Sequence, residues 1–351
     1  MTTELRIAHN DDAKEWDAII STSPHGSIFH QWDWLKITEK HTQTTLYPLT
    51  GIKNGVPVGV FPLFFQKKGP VRMVFSPPPH AALFYLGPVM VGYDTLNQEK
   101  REMNYIEFHN SVENFIKHDL KAQYVSISLP PALQDPRPFA WSGYGIEPRY
   151  DYVIDLSIGP DLLLQTLDKK QRQNLNRAKN RGFFVETGGK KEFGMILDLM
   201  DIRYAQQGKN VTASRHYFLD IYEAYKNNLK IFVAKVDGEV VTGSIDLQEK
   251  DTHYSWIGSP KPKIPLSPSP NDLLFWESIQ YAHKQGCTSY VTLGAAGNKR
   301  LHVYYAAKFN PELRIRYVAT KKSFLAGIVE KGYTTILKPL RGKVKHLNVR
   351  E

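Results

Sequence analysis

The chain has 351 residues, which is long for one compact core and predicts two domains of roughly 150 to 180 residues each. Hydrophobic residues make up 42% and aromatic residues 12% of the sequence, a composition that excludes a disordered or low-complexity chain. Lysine and arginine total 45 against 35 acidic residues, and the net charge of +10 predicts a polyanionic partner, with plain solubility charge as the alternative.

The same sequence carries expectations about the compartment. A single cysteine, Cys287, cannot form an intramolecular disulfide and favours a reducing environment. Residues 1–6 lack the basic and apolar regions of a signal peptide. The apolar stretches 58–65 and 81–91 are shorter than the roughly 20 residues of a transmembrane helix. We expect a cytoplasmic protein without a transmembrane segment, with contact at the inner face of the membrane as a further expectation.

The first third of the chain reads as helices followed by a hairpin. Apolar residues at helical spacing predict helices over 11–21 and 30–41. Strands are predicted over 45–53 and 56–66, because both are rich in valine, leucine and phenylalanine. The dipeptide Asn54-Gly55 between them suits the positive backbone angles of a tight turn.

The next segment predicts a long helix and the boundary of a domain. Helical periodicity over 99–120 leads into an alternating strand over 124–129. The stretch 130–148 contains five prolines and three aromatic residues, which favours an irregular connector. We therefore expect a first domain over 1–150 and a second over 151–320. The remaining segment, 321–351, is predicted to be a terminal helix and basic tail that packs back on the first domain.

The second half repeats the order of elements in the first. The segment 231–244 has two apolar strands around Asp237-Gly238, as 49–61 has around Asn54-Gly55. A helix over 272–284 then leads into a strand over 290–293. The hairpin copies are offset by about 183 positions and the helix-to-strand copies by about 166, which indicates a duplication diverged by insertion.

Self-contained catalytic signatures are absent from the sequence. There is no GxSxG elbow, no Walker A loop, no HExxH and no GxGxxG, and the twelve histidines lack the spacing of metal ligands. A serine hydrolase and a metalloenzyme are therefore disfavoured, and no metal site is predicted.

The strongest local signal is a basic helix over 169–182. Its first thirteen residues, 169–181, include six cations and no acid. One flank presents Arg172, Asn176 and Lys179, which we interpret as a phosphate clamp because guanidinium and ammonium groups match phosphate oxygens. The alternative is a solvated face whose long side chains cover apolar surface.

The region around this helix resembles a known family. The run 151–189 has a strand ending in Asp-Leu, a basic helix, a glycine and a strand, as in FemAB-type aminoacyltransferases and the related FemX-like GNAT enzymes. The segments 29–35, 54–63, 200–203 and 293–310 resemble further family segments in the same order. The third of these supplies Arg203 as a family-typical arginine. The resemblance implies an α+β fold of two tandem GNAT-like domains, each a mixed and mostly antiparallel sheet flanked by helices.

The resemblance also implies a reaction. Such proteins transfer an aminoacyl group from charged tRNA to an amine of a cell-wall precursor peptide, without a side-chain nucleophile or a bound cofactor. The chemistry needs an amine in line with an ester carbonyl, a donor for the developing oxyanion and a route for the proton. The implied partners are tRNA and a phosphorylated or lipid-linked cell-envelope precursor, both polyanions.

Two positions depart from the family pattern. The family places a lysine in a Phe-Lys-x-x-Phe-Gly segment, and the corresponding position here holds Ala306, with Lys308 in the neighbouring register as the candidate catalytic residue. The same segment supplies Tyr304 and Tyr305 as candidate binding residues. An acidic residue often precedes the family's Leu-Gly strand end, and that position is Thr292 here.

The alternative donor is an acyl-coenzyme A, whose pyrophosphate ordinary GNAT enzymes hold with a Gln/Arg-x-x-Gly-x-Gly/Ala turn at a helix start. The nearest match, 66–71, ends in Val71, contains Pro70 and follows a strand, so we interpret it as a hairpin turn. The missing motif favours aminoacyl-tRNA over acyl-coenzyme A.

Four weaker features complete the prediction. Tyr254 and Trp256 lie on a strand facing the second-domain cleft, where they line an acceptor channel or pack in the core. The proline-rich loop 261–270 is a connector or a lid, and the basic tail 338–350 is a polyanion contact or a solvated end.

The leading function is aminoacyl transfer from tRNA to a cell-envelope precursor. The first alternative is acyl-coenzyme A-dependent N-acetylation of an amino sugar or polysaccharide precursor. The second is a catalytically inactive binding protein of the same fold.

Overall fold

The computed structural model describes residues 3–209, 211, 213–258, 260, 262, 266–294, 297 and 299–323. Its strands are β1 Glu4–Ile7, β2 Thr45–Lys53, β3 Val56–Lys68, β4 Val71–Ser76, β5 Val89–Met90, β6 Tyr124–Ser128, β7 Gly145–Asp155, β8 Phe184–Gly188, β9 Leu229–Val236, β10 Glu239–Glu249, β11 Thr252–Ile257, β12 Ser289–Thr292 and β13 Glu312–Lys322. Its helices are α1 Ala13–Thr22, α2 Trp32–Thr42, α3 Gln98–Asn114, α4 Arg137–Trp141, α5 Pro160–Thr166, α6 Lys169–Asn180, α7 Lys190–Gln206, α8 Arg215–Tyr225, α9 Pro270–Lys284 and α10 Lys299–Phe309.

These strands form one continuous mixed sheet. The order is β1-β2-β3-β4-β6-β13-β7-β12-β11-β10-β9-β8, with β5 paired to β3. The late strand β13 lies between β6 and β7 and is antiparallel to both. It therefore joins the first half of the sheet, which contains β1 to β6, to the second half, which contains β7 to β12. The predicted α+β class is confirmed.

The predicted repeat is visible in the pairing pattern. The β2–β3 hairpin turns at Asn54-Gly55 and the β9–β10 hairpin at Asp237-Gly238, and all four residues have positive φ. Each hairpin also has a register shift a few residues from its turn. A parallel pair follows in each half, β4 with β6 and β11 with β12, with a helix between the two strands. Two equivalent units therefore share one sheet.

The segment 130–148 is more regular than predicted. It contains the short helix α4 and the start of β7 at Gly145. Residue 150 lies inside β7. Pairing of β7 with β13 and β12 keeps this strand regular, although the prolines of 130–148 favour an irregular segment. The division into 1–150 and 151–320 stays a prediction. Of the predicted segment 321–351, residues 324–351 lie outside the described residues, as do residues 261 and 263–265 of the loop 261–270.

One large apolar core lies between the two halves. Helix α2 of the first half packs against α8 of the second, and the indole of Trp34 donates to the hydroxyl of Tyr217 at 3.1 Å. The ring of Trp34 also packs edge-on against Trp256. Burial of one such ring contributes about 4–6 kcal/mol, from roughly 150–250 Å² at about 25 cal/mol per Å². The two halves are therefore held in a defined arrangement around the centre of the sheet.

Within the part of the chain that the structure describes, no helix has the length and apolar character needed to span a membrane.

Candidate active site

The sheet opens where β11 and β12 part. These parallel strands are paired from Thr252–Ser289 to Ser255–Thr292. Beyond that point β12 ends, whereas β11 continues to Ile257. The carboxyl ends of parallel strands are a common position for a binding crevice, because the backbone edges there are free to face a ligand.

A cavity of about 520 Å³ occupies this opening, a size that accommodates a small-molecule ligand. Its walls come from the strand ends, the carboxyl end of α7, α8, α10 and a segment of the first half. The lining residues are Ala82, Phe84, Met200, Arg203, Tyr204, Gln207, Val211, Phe218, Ser255, Trp256, Ile257, Gly258, Pro260, Thr292, Leu293, Gly294, Leu301 and Tyr305.

Cavities of similar size elsewhere lack this arrangement. The one around Arg101 and Arg137, of about 550 Å³, lies on the surface of the first half. Its Arg137 is already paired with Glu102 and Asp135. We therefore regard the opening between β11 and β12 as the candidate active site.

A buried ion pair holds one edge of the cavity. Asp151 on β7 is fully buried and accepts from the backbone N–H of Gly294 at 2.6 Å. Its second oxygen accepts from Nε of Arg316 at 3.2 Å, and Nη1 of Arg316 donates to Ser128 Oγ at 2.7 Å. Burial lowers the pKa of Arg316, and the Asp151 carboxylate counteracts that effect. The strand end at Gly294 is therefore fixed by a charge pair behind it.

The polar side chains that line the cavity include two tyrosines and one arginine. Tyr204 and Arg203 stand at the end of α7, where Nη1 of Arg203 lies 3.3 Å from the amide oxygen of Gln206. Tyr305 projects from α10. Burial raises the pKa of Tyr305 well above its ordinary value. Its hydroxyl is protonated at neutral pH, as in any tyrosine with an ordinary or raised pKa, and can donate a proton or a hydrogen bond.

The structure brings three of the predicted site residues together. Arg203, Trp256 and Tyr305 all line the cavity, although they come from separate elements. The indole of Trp256 donates to the carbonyl of Ala82 at 2.9 Å, so its orientation is set by the first half. Tyr254 lies in the core beside Tyr85, where burial raises its pKa to about 12. For Tyr254 the geometry fits the core-packing interpretation.

The predicted phosphate clamp lies away from the cavity. On α6, Arg172 donates through Nη1 to the carbonyls of Gln165 and Leu167, at 2.8 and 3.0 Å, and so satisfies the carboxyl end of α5. Lys179 pairs with Glu277 at 2.8 Å, and Asn176 is exposed. Two of the three residues therefore have structural partners, and contact with a phosphate stays a prediction.

Lys308 also has an intramolecular partner. Its ammonium lies 2.8 Å from both oxygens of Asp272, at the amino end of α9, and 4.6 Å from the ring centre of Tyr304. The Asp272 side chain is almost fully buried. Neither Lys308 nor Tyr304 is among the residues that line the cavity. This geometry assigns Lys308 to holding a buried carboxylate, and its catalytic role stays untested.

We expect Lys308→Met to destabilise the protein by about 1–3 kcal/mol, because it leaves the buried Asp272 carboxylate without its ion pair. Adding Asp272→Asn is expected to recover most of that loss. Urea unfolding of the two variants measures both effects. If Lys308→Met were as stable as the wild type, Lys308 would not be needed to hold Asp272 and would be available for a role in acyl transfer.

The sequence patterns do not single out Asp151, Arg316 or Phe84. Asp151 lies between two tyrosines at the start of the buried part of its strand, and a charged residue at such a position is the signal of a buried pair. Its partner Arg316 is 165 residues away, so no local spacing connects them. Among the described residues there is no group of three or more histidine, cysteine, aspartate or glutamate side chains that could hold a metal ion.

Comparison with known proteins identifies the fold. Residues 167–306 match the family described as Acetyltransferase (GNAT) domain. The chain resembles FemX with a TM-score of 0.67 and 16% identity, over 90% of this chain and 96% of FemX. No curated protein matches the chain significantly in sequence.

Two further solved structures have a similar fold. The L-PGS structure from Bacillus licheniformis has a TM-score of 0.52 and 15% identity, over 92% of this chain and 97% of that one. A tandem GNAT protein from the clavulanic acid biosynthesis pathway has a TM-score of 0.56 and 15% identity, over 91% and 98%. The predicted tandem GNAT fold, its resemblance to FemX and the acyltransferase class are confirmed.

Proposed function

On the premise that the chain is an acyltransferase of the tandem GNAT fold, we propose that it transfers an aminoacyl group from aminoacyl-tRNA to an amino group of a cell-envelope precursor peptide. The reaction takes place in the cavity between β11 and β12. The precursor is phosphorylated or lipid-linked, and the protein meets it at the inner face of the membrane.

The observation that carries the choice of donor is the amino end of α9. This helix follows β11, and Asn271 in its first turn reaches the carbonyl of Pro260 on the cavity wall. A helix start at this place can hold an anion only through free N–H groups and a positive field. Here Pro268 and Pro270 withhold two donors, and Asp272 brings a negative charge into the first turn.

This charge arrangement disfavours a coenzyme A pyrophosphate at α9. Lys308, a cation near this helix start, is already paired with Asp272 and is not free to bind a pyrophosphate. Exposed cations lie instead on α6, which presents Lys169, Lys170 and Arg177 to solvent. A long polyanion such as tRNA can contact that face and still reach the cavity with its acyl end.

The cavity supplies groups for aminoacyl transfer. The acceptor amine forms a bond to the ester carbonyl carbon, the bond from that carbon to the ribose oxygen breaks, and one amine proton is transferred to the leaving oxygen. The end of β11 beyond its pairing with β12, residues 256–258, provides backbone N–H groups for the oxygen of the ester carbonyl. Tyr305, held protonated, donates to the ribose oxygen as it leaves and recovers a proton from the amine.

The second candidate is acyl-coenzyme A-dependent N-acetylation of an amino sugar or polysaccharide precursor. The specific observation in its favour is the match of residues 167–306 to an acetyltransferase domain. The donor would then occupy the same strand opening, with its pyrophosphate away from the start of α9. Thermal stabilisation by acetyl-coenzyme A, in the absence of any effect of tRNA, would favour this candidate.

We expect charged and uncharged tRNA to bind with a steep salt dependence, because each neutralised phosphate adds up to about 0.9 to the slope of log K against log salt. Filter binding over a salt series measures this slope. A double variant of the basic helix, Lys169→Glu with Lys170→Glu, is expected to weaken binding about tenfold or more and to flatten the slope.

The matched control reverses two exposed lysines of the first half, Lys14→Glu with Lys117→Glu, which alters the net charge by the same amount. This control is expected to bind tRNA nearly as well as the wild type. Absence of tRNA binding at low salt would contradict the proposed donor. Equal weakening by both double variants would show only a dependence on net charge.

A further inference from the structure

We infer that Phe84, a residue of the first half, determines the size of the acyl side chain accepted by the cavity of the second half. The inference rests on the proposed acyl transfer in that cavity. It concerns selectivity and is independent of which donor carries the acyl group.

The ring of Phe84 lies against Gly294, just after the end of β12, where β12 separates from β11. Gly294 adopts a φ of +68°, and a β-carbon built on it would stand 3.0–3.1 Å from two ring carbons of Phe84. Ordinary contacts of a β-carbon are longer than this, so the ring occupies the space that a side chain at position 294 would fill. Phe84 is half-buried and lines the cavity with its remaining surface.

The backbone around Phe84 is anchored on both sides. Its carbonyl accepts from Ser128 Oγ at 2.8 Å, and the N–H of Leu86 donates to the carbonyl of Ser128 at 3.0 Å. On the other side the carbonyl of Ala82 accepts from the indole of Trp256. Ala82 has a φ of +49°, an unfavourable angle that surrounding contacts must maintain. The ring is therefore a fixed wall rather than a flexible loop side chain.

The same segment closes the equivalent opening in the first half. There the parallel strands β4 and β6 end at Ser76 and Ser128. The N–H of Gly87 donates to Ser76 Oγ at 3.0 Å, and Ser128 bonds to the neighbouring residues of the segment. One segment thus fills the opening of the first half and forms a wall of the opening in the second.

A rigid aromatic wall discriminates by size. In an apolar pocket, one methylene group changes discrimination by roughly 10–200-fold. Phe84→Ala removes most of a ring from the wall and adds space beside Gly294. We expect it to favour bulky acyl groups, and Phe84→Leu to have an intermediate effect because it keeps apolar volume at the site.

Binding of non-hydrolysable probes tests this inference. The probes are 3′-amino-3′-deoxyadenosine amides that carry glycyl, leucyl or phenylalanyl groups, and isothermal titration calorimetry gives their Kd values. We expect Phe84→Ala to improve phenylalanyl relative to glycyl binding at least tenfold. Phe75→Ala, which removes a ring of the first half that contacts Tyr124 and does not line the cavity, is expected to keep the wild-type ratio. Thermal melts verify that each variant folds.

The outcomes separate this inference from the proposed donor. An unchanged ratio in both Phe84 variants overturns the role of Phe84 and leaves the proposed function standing. If no adenosine amide binds, the same variants are titrated with acetyl-, butyryl- and benzoyl-coenzyme A. A Phe84-dependent ratio in that series overturns the tRNA donor and supports the role of Phe84, whereas failure of both series overturns both.

Discussion

Replacing Arg316 with methionine is expected to lower the free energy of unfolding by about 3–5 kcal/mol, the usual cost of removing one partner of a buried ion pair. The Asp151 carboxylate is fully buried, and Arg316 is 6% exposed. Without the guanidinium, Asp151 keeps the hydrogen bond from the N–H of Gly294 but has no cation beside it, and Ser128 loses its contact with Arg316. Both edges of the cavity lose part of their support, so we also expect reduced transfer activity.

Urea unfolding of Arg316→Met and of its double variant with Asp151→Asn measures this effect. The asparagine removes the buried charge and retains an oxygen for the N–H of Gly294, so the double variant is expected to recover much of the stability. Arg149→Met is the matched control, because Arg149 pairs with Glu147 on the surface and both side chains are about half exposed or more. Its expected cost is about 0–1 kcal/mol. A loss below 1 kcal/mol for Arg316→Met would contradict the importance of the buried pair.

The second large effect is expected for Tyr305→Phe, which should lower kcat by about 10²–10⁴-fold. The substitution removes only the hydroxyl, and the ring contact with Phe275 can be retained. The wild-type hydroxyl is protonated across neutral pH, and burial moves its pKa further above that range, so the proton is available to the leaving oxygen. The loss should therefore appear in kcat with little change in stability.

Single-turnover transfer to a labelled acceptor, with urea unfolding in parallel, measures the effect of Tyr305→Phe. Tyr281→Phe serves as the control, because Tyr281 on α9 packs against Phe232 and does not line the cavity. It is expected to leave kcat unchanged. If Tyr305→Phe keeps full kcat, the proton for the leaving group comes from another donor, such as Tyr204 or solvent.

Much of the fold follows from local sequence signals. The hairpins at Asn54-Gly55 and Asp237-Gly238 are predictable because few residue pairs tolerate positive φ at both turn positions. The basic helix is predicted over 169–182 and observed over Lys169–Asn180, with Asp168 as its amino-terminal cap. The internal repeat is readable because both copies keep the same order of elements. These features depend on residues that are near one another in the chain.

The site is less predictable, because its residues meet only across the sheet. Arg203 and Tyr305 can be proposed from a family resemblance, which aligns whole segments, and Trp256 from its place on a strand that faces the predicted cleft. The intramolecular partners of Lys308 and Arg172 are harder to predict, since Asp272 meets Lys308 only through helix packing. The carbonyls of Gln165 and Leu167 meet Arg172 only because of the turn between α5 and α6. Sequence spacing identifies a cationic side chain as a candidate ligand for phosphate. It does not reveal whether that side chain already has a partner within the protein.

The sequence by itself determined the fold class, the repeat, the basic character and the kind of chemistry. Tertiary structure alone decided which residues form the cavity, because β13 crosses between the halves and brings Arg316 to Asp151. It also placed Phe84 of the first half on Gly294 of the second. The physical reason is that turns and amphipathic helices depend on local backbone preference and periodicity, whereas a buried charge pair and a cavity wall depend on contacts between residues more than 150 positions apart.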